Sequence, residues 1–268
     1  MENLAGRSAV ITGGANGIGR GTALALARRG VGVMLADMDA EGLTATAAEI
    51  SKHGGSAAIF ECELRDETAF VRLREAALVA FGQVDIVMNN AGVLASGDPL
   101  DIPIEEWRRV FDINFFAMIR SNEVFLPELI AKGSGHIVNT ASFAALYPYA
   151  YDRLPYMTSK AAVIALTEGL ALYARPKGVG VTLLAPGPVK TQIVRTMRQW
   201  GQKPLAPGLP SHFKILEPEA VGEMVVDAIE RDIFFLPTDH QVMDIVREQS
   251  TDPEAFIRKQ IAWANRAD

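Results

Sequence analysis

Short runs of aliphatic and β-branched residues alternate along this chain with longer stretches whose apolar positions recur every three to four residues. The short runs predict strands at Ser8–Thr12, Val31–Asp37, Ala57–Glu61, Val84–Asn89, His136–Thr140, Gly180–Leu184 and Phe234–Leu236. The periodic stretches predict helices at Gly17–Arg29, Ala40–His53, Glu67–Phe81, Ile104–Leu129, Pro155–Ala174 and Pro218–Arg231. Parallel strands need a long crossover between them, and a helix supplies it. The alternation therefore predicts an α/β fold: a doubly wound, seven-stranded parallel sheet with helices on both faces, a three-layer αβα sandwich. One domain over 1–268 accommodates all of it. Pro204, Pro207 and Pro210 mark Gln202–His212 as a loop, since a helix and a strand still follow. A loop about 190–216 of that length reads as a lid over a substrate, and a C-terminal segment about 239–268 remains to cap the pocket or dock on a neighbour.

Composition narrows the class. The 268 residues are 49% hydrophobic and carry a net charge of −6, from 26 basic and 32 acidic residues. That balance argues against a nucleic-acid partner and against an anionic membrane surface. Apolar runs stop short of the roughly 20 residues that span a bilayer, and the first residues lack the basic-then-apolar pattern of a signal peptide. Cys62 is the one cysteine, so no intrachain disulfide forms, which suits a cytoplasmic protein. His53, His136, His212 and His240 lack metal-ligand spacing, and no metal is expected.

The first strand runs into Thr12-Gly13-Gly14-Ala15-Asn16-Gly17-Ile18-Gly19 and then into an Ala-rich helix. A pyrophosphate needs bare N–H groups at a tight strand-to-helix turn and a helix N-terminus aimed at it. Gly13, Gly17 and Gly19 supply the room, with Asn16 and Ile18 between them. The second strand ends at Asp37, where a carboxylate accepts both hydroxyls of an adenosine ribose and repels a 2′-phosphate. Neither Asn16 nor Met38 is basic, so NAD is preferred over NADP. The competing reading makes Asp37 a turn residue, with Asp39 capping the next helix.

Further motifs fall in order: Asn89-Asn90-Ala91-Gly92 after the fourth strand, Ser142 after the fifth, Tyr156-Met157-Thr158-Ser159-Lys160 opening the next helix, and Pro186-Gly187-Pro188-Val189-Lys190-Thr191 after the sixth. With Thr12–Gly19, this set resembles the short-chain dehydrogenase/reductase family over essentially the whole chain, and so implies a Rossmann-type fold. The residues agree independently. Asp37, Asn90, Ser142 and Pro186 all fall at carboxyl ends of predicted strands, the edge where open parallel sheets bind ligands. Residues four apart share a helix face, so Lys160 stands one turn from Tyr156. Of the nearby tyrosines, Tyr147, Tyr149 and Tyr151 have no lysine at that spacing. Free tyrosine has a pKa of about 10, and bringing it to neutrality takes roughly 4 kcal/mol, which a neighbouring ammonium can supply.

The resemblance implies roles. Tyr156 is the acid/base. Lys160 lowers its pKa and holds the nicotinamide ribose. Ser142 donates to the substrate oxygen, and Asn114 sustains a water-linked proton path to the lysine. Gly13, Gly17 and Gly19 line the diphosphate site, Asn90, Ala91 and Gly92 pass the adenosine half, and Pro186, Gly187, Val189 and Thr191 hold the carboxamide end. Two departures stand out. Cys62-Glu63-Leu64 places Glu63 where the family has an aspartate near adenine, leaving the backbone contact at Leu64. The interval from Ser142 to Tyr156 is one residue longer than usual, which bulges the loop Phe143–Pro155.

Leu94, the loop Phe143–Leu154 and the loop after Thr191 are the expected pocket walls, and Tyr147, Tyr149, Leu154, Met197, Trp200, Leu205 and Phe213 among them favour a hydrophobic, cyclic secondary alcohol or ketone. Val110, Phe111, Ile113, Phe115, Phe116 and Ile119 make one helix apolar around much of its circumference, and Ala162, Ala165, Leu166 and Leu170 stripe another. Similar proteins associate through these two helices, about 104–129 and 155–174, so a homotetramer or dimer is expected. The function read from the chain is NAD-dependent interconversion of an alcohol and a ketone. The rivals are a catalytically silent NAD-binding sensor and a non-redox isomerase or lyase on the same scaffold.

Overall fold

The computed structural model describes residue 1, residues 3–201 and residues 213–264. Leu205 and the proline-rich stretch Gln202–His212 lie outside the described residues. In chain order the strands are β1 (Ser8–Thr12), β2 (Gly32–Asp37), β3 (Ala57–Glu61), β4 (Ile86–Asn89), β5 (Ala95–Gly97), β6 (Gly135–Thr140), β7 (Val179–Ala185), β8 (Arg198–Trp200) and β9 (Phe235–Pro237). Seven of them form one parallel sheet in the order β3-β2-β1-β4-β6-β7-β9. The order reverses between β1 and β4, and that reversal opens a crevice at the carboxyl edge. Thr12 pairs with Ala36, Asp37 with Glu61, Asn89 with Asn139 and Thr140 with Leu184, so the strand ends, and the loops leaving them, lie side by side.

The helices are α1 (Gly17–Arg28), α2 (Ala40–Lys52), α3 (Ala69–Phe81), α4 (Ile104–Phe111), α5 (Ala117–Lys132), α6 (Leu154–Ala174), α7 (Pro218–Glu230), α8 (Val242–Thr251) and α9 (Pro253–Ala264). Alternation along the strands divides the core. Ala9, Ile11, Val33 and Leu35 pack with α1, α2 and α7 on one face. Val10, Met34, Val87 and Ile137 pack with α3, α5 and α6 on the other. Burying each large aliphatic side chain of these layers stabilises the fold by about 2 kcal/mol. Helices α1 and α7 approach backbone to backbone: a Cβ on Gly21 would strike Pro218, and one on Gly222 would strike Gly21.

The fold class read from the sequence is present, with three differences. The single helix expected over Ile104–Leu129 is two, α4 and α5, joined by a turn of π-helix at Asp112–Phe116. One extra residue in the turn swings Asn114 inward, where it is fully buried. A second, two-stranded parallel sheet pairs β5 with β8, and α8 and α9 occupy the segment left unassigned. Among the described residues, no helix is long and apolar enough to cross a membrane.

Candidate active site

A cavity of about 820 Å³ opens at the carboxyl edge, on the crevice between β1 and β4. Its floor is the glycine turn. Gly13 and Gly17 hold positive φ angles of 69° and 54°, the left-handed region that glycine adopts without cost. Asn16, just before α1, does not cap the helix with its side chain. The first N–H groups of α1 therefore lack intrahelical acceptors, and they meet the cavity at Gly17 and Ile18. A Cβ on Gly17 would press on Thr191 at 3.1 Å. This turn, bare of side chains and headed by free N–H donors, fits a diphosphate.

Gly19 does not line the cavity. A Cβ there would collide with the Gly13 carbonyl, so this glycine permits the turn to close on the helix. Asn90 serves the same turn: its Nδ2 donates to the Thr12 carbonyl at 3.1 Å, while Thr12 Oγ1 accepts from Asn90 N at 3.0 Å and Ala91 N at 3.2 Å. The asparagine thus ties the end of β4 to the end of β1, a structural duty that the motif alone did not reveal.

Beyond the turn, Asp37 stands at the end of β2. Its Oδ2 accepts from Ala15 N at 3.2 Å, and its Oδ1 accepts from Met38 N at 2.8 Å and Asp39 N at 3.2 Å. Asp39 is the cap of α2, accepting from Gly42 N at 3.0 Å, so both aspartates of the sequence argument have separate places. Asp37, Asp39, Glu63 and Leu64 line this end with Met38 and Cys62. Burial, aided by Asp37, pushes the Cys62 thiol up to about 11. The Glu63 carboxylate turns to Arg65, 2.7 Å from its guanidinium, which holds it below the usual carboxylate range.

Tyr156, Lys160 and Ser142 meet at the other end. Tyr156 and Lys160 lie one turn apart on α6, with Nζ 5.9 Å from the phenol ring centre. Lys160 is 2% exposed, and its Nζ donates to the Thr140 carbonyl at 2.7 Å. Burial lowers its pKa to about 8. Ser142 ends the strand-to-loop turn after β6, its Oγ accepting from Ala144 N at 3.2 Å and hydrogen-bonded to Tyr156. One expectation is corrected here. The chain's own groups do not lower the Tyr156 pKa toward neutrality; burial pushes it up to about 12, against the Ser142 hydrogen bond. Lys160 is not among the groups that act on it, and its Nζ gives one hydrogen bond to the Thr140 carbonyl.

Asn114 sits behind the wall. Its Oδ1 accepts from Val93 N at 2.8 Å, and its Nδ2 donates to Val93 O at 3.1 Å and to Ser159 Oγ at 3.0 Å. A Cβ on Gly92 would stand 3.4 Å from both Asn114 Oδ1 and Lys160 Nζ, so the glycine lets these groups approach. Ala91, Gly92, Pro186, Gly187, Val189 and Thr191 line the same cavity.

The substrate walls differ in part from expectation. Leu94, Tyr149 and Met197 line the cavity. Tyr147 and Phe213 do not: they pack into a buried cluster with Phe143, Val242 and Phe256, under the C-terminal helices. Leu154 opens α6 and Trp200 closes β8, both off the lining. Arg153, within the expected wall Phe143–Leu154, and Gln192–Thr196, within the expected loop after Thr191, line the cavity as well. Three loops of this end are joined. Ala95 pairs with Arg198 across β5 and β8, Leu94 N donates to Thr196 Oγ1 at 3.2 Å, and Gly97 N donates to the Asp152 carbonyl at 2.8 Å.

The comparisons with known proteins agree with this geometry. A profile described as short chain dehydrogenase matches residues 7–202. The 1-deoxy-11-beta-hydroxypentalenate dehydrogenase of Streptomyces exfoliatus is 34% identical over 253 residues, 93% of this chain and 89% of that protein. The cyclohexanol dehydrogenase of Acinetobacter sp. strain SE19 is 32% identical over 237 residues, 88% and 92% of the two. A short chain dehydrogenase/reductase from Burkholderia phymatum, crystallised in complex with NAD, superposes with a TM-score of 0.85 at 30% identity, over 95% of this chain and 96% of that one. Sequence, fold and cavity thus converge: the chain belongs to the short-chain dehydrogenase/reductase family and is an oxidoreductase of hydroxyl groups that works with a nicotinamide cofactor.

Proposed function

We propose that this enzyme is an NAD-dependent dehydrogenase that interconverts a hydrophobic, cyclic secondary alcohol and its ketone. The observation that carries the reading is the meeting of Tyr156, Ser142 and Lys160 on one wall of the cavity whose floor is the glycine turn. When bound, the oxidised nicotinamide accepts the carbinol hydride and brings a positive ring charge to this wall. The Tyr156 oxygen takes the alcohol proton in that direction and returns it in the reverse one. Ser142 spends its hydroxyl hydrogen on the substrate oxygen while Ala144 N–H fixes its Oγ. Lys160 has three N–H donors and gives one to Thr140, which leaves donors for the nicotinamide ribose. Asn114 holds Val93 and Ser159 in place behind the lysine and so supports a proton route through it.

The acidic end supports NAD over NADP. Asp37, Asp39 and Glu63 line it with no basic residue among the lining side chains there, so a 2′-phosphate would meet like charge and find no partner. The apolar side chains of Leu94, Ile193, Val194 and Met197 support a hydrophobic substrate. We propose further that two or four copies associate through α4–α5 and α6. Phe111, Phe115 and Phe116 form an edge-to-face row there, and Phe116 remains 47% exposed. The test of the reaction is a panel of cyclic and open-chain secondary alcohols, with NAD or NADP, followed by nicotinamide absorbance. Alcohol-dependent reduction of NAD in preference to NADP is the expected result. Absence of turnover with every alcohol and ketone would overturn the reading.

A further inference from the structure

The two ends of the cavity carry opposite charge. Carboxylates line the adenosine end, whereas the end beyond Tyr156 is lined by Arg153 and Arg195 and by no Asp or Glu. We infer that the substrate is itself an anion: an apolar cyclic alcohol or ketone bearing a carboxylate, which Arg153 binds. This deepens the proposed function and rests on it.

Arg153 is the residue that caps the start of α6, three positions before Tyr156. Its side chain is 24% exposed, and its Nε makes no hydrogen bond among the described residues. The nearest carboxylate, Asp152, lies 3.6 Å from that Nε, beyond hydrogen-bonding reach, and Asp152 Oδ1 is likewise without a hydrogen-bond partner. Asp152 is 1% exposed and committed elsewhere: Oδ2 accepts from Ser96 Oγ at 3.2 Å, and its carbonyl holds Gly97. The guanidinium carbon lies 6.0 Å from the Tyr149 ring centre; burial pushes the Tyr149 hydroxyl up, and the charge of Arg153 and a hydrogen bond with it pull the other way. A guanidinium has five donors in a planar fork that matches a carboxylate. Holding one largely out of water against an ill-fitted partner is costly, and packing alone would be served by a neutral side chain. Leu94, Ile193, Val194 and Met197 then surround the apolar ring of the same ligand. Arg153 and Tyr156 line the same cavity three positions apart at the start of one helix, which sets the carboxylate on the side of the carbon being oxidised.

The test uses the intact enzyme with hydroxycyclohexanecarboxylate and its methyl ester as substrates, and with unreactive cyclohexanecarboxylate as a binding probe. Wild type should favour the acid over the ester by at least about tenfold in kcat/KM. Arg153→Met should cut that ratio by about a hundredfold, the loss expected when a partly buried charge pair is broken, and Arg153→Lys should restore part of it. Cyclohexanecarboxylate should bind the wild type, measured by calorimetry in the presence of NAD, and bind Arg153→Met far more weakly. Equal turnover of acid and ester by the wild type, or an acid-to-ester ratio unmoved in Arg153→Met, would overturn the inference. The two readings fail separately. Binding of the probe without turnover of any alcohol removes the proposed reaction and leaves the anion site. Turnover of neutral alcohols without acid preference or probe binding removes the anion site alone.

Discussion

The two edges of the parallel sheet differ in how fully they use their buried polar groups. At the amino edge each group is matched. Asp85, 2% exposed, accepts from Ser8 N at 3.0 Å and pairs with Lys132 at 3.1 Å and Arg7 at 3.4 Å. His136 and Thr182 form a chain in which the threonine hydroxyl donates to the Ile233 carbonyl at 2.7 Å. The hydroxyl proton being spent there, His136 Nε2 must carry the hydrogen that it shares with Thr182 at 2.8 Å. At the carboxyl edge Asp37, Asn90 and Asn114 are matched too, but the pair on α6 keeps capacity in reserve: Lys160 gives one of its three hydrogen bonds, and Tyr156 meets Ser142. A satisfied buried group stabilises the fold, whereas an unsatisfied one at a cavity wall is free to bind. Function sits where matching stops.

Four experiments break or sharpen this contrast. Tyr156→Phe should lower kcat by about a thousandfold while fluorescence titration shows nicotinamide binding and thermal melting shows an unchanged fold; retained turnover would place the chemistry elsewhere. Next in size is the pH response of the amino edge. Burial lowers the His136 pKa from 6.5 to about 4. As pH falls through that window the unfolded chain takes the proton first, so the stability present above pH 6.5 is lost toward pH 4, by up to about 3 kcal/mol. Urea melts across that range should show the decline, and His136→Gln should flatten it. Asp85→Ala should cost about 2 kcal/mol of stability with kcat retained at a temperature where the variant is folded. A loss of kcat without a loss of stability would erase the distinction between the edges. Smallest is Asp37→Ala, which should lower the preference for NAD over NADP by about tenfold, or about 1.4 kcal/mol, read from kcat/KM with each cofactor.

Much of this molecule was legible in the chain because two periods, two residues and about 3.6, record which faces are buried. Strand β1 and helix α1 fall where the pattern places them, and the glycine turn between them follows from the need for backbone room. The π turn at Asp112–Phe116 was not legible, since one added residue leaves the apolar period on both sides nearly intact. Neither was the pairing of Ala95–Gly97 with Arg198–Trp200, because three-residue strands are too short to show alternation. In the site, Tyr156 and Lys160 were legible from their spacing together with their place on the helix after Ser142, since Tyr173 and Lys177 share that spacing elsewhere. The partner of Lys160, the Thr140 carbonyl, is a backbone group that no side-chain pattern reports. The loop after Ser142 was legible as a wall, but nothing in its sequence says which of its side chains, Arg153 among them, faces the cavity. Tyr147 and Phe213 were misassigned for a related reason: an aromatic ring near a pocket in sequence can as readily brace the helices behind it.

The small β5–β8 ribbon gives the mouth of the cavity the character of a single frame. The loops that follow β4, β6 and Thr191 each contribute a wall, and each is fastened to the ribbon through Leu94, Gly97 or Thr196. Displacing any one of these walls by more than a fraction of an ångström must strain hydrogen bonds in the other two. Admission of a bulkier guest therefore requires concerted adjustment of the whole rim, and engineered changes of selectivity will succeed as coordinated sets across the three loops sooner than as solitary replacements in one.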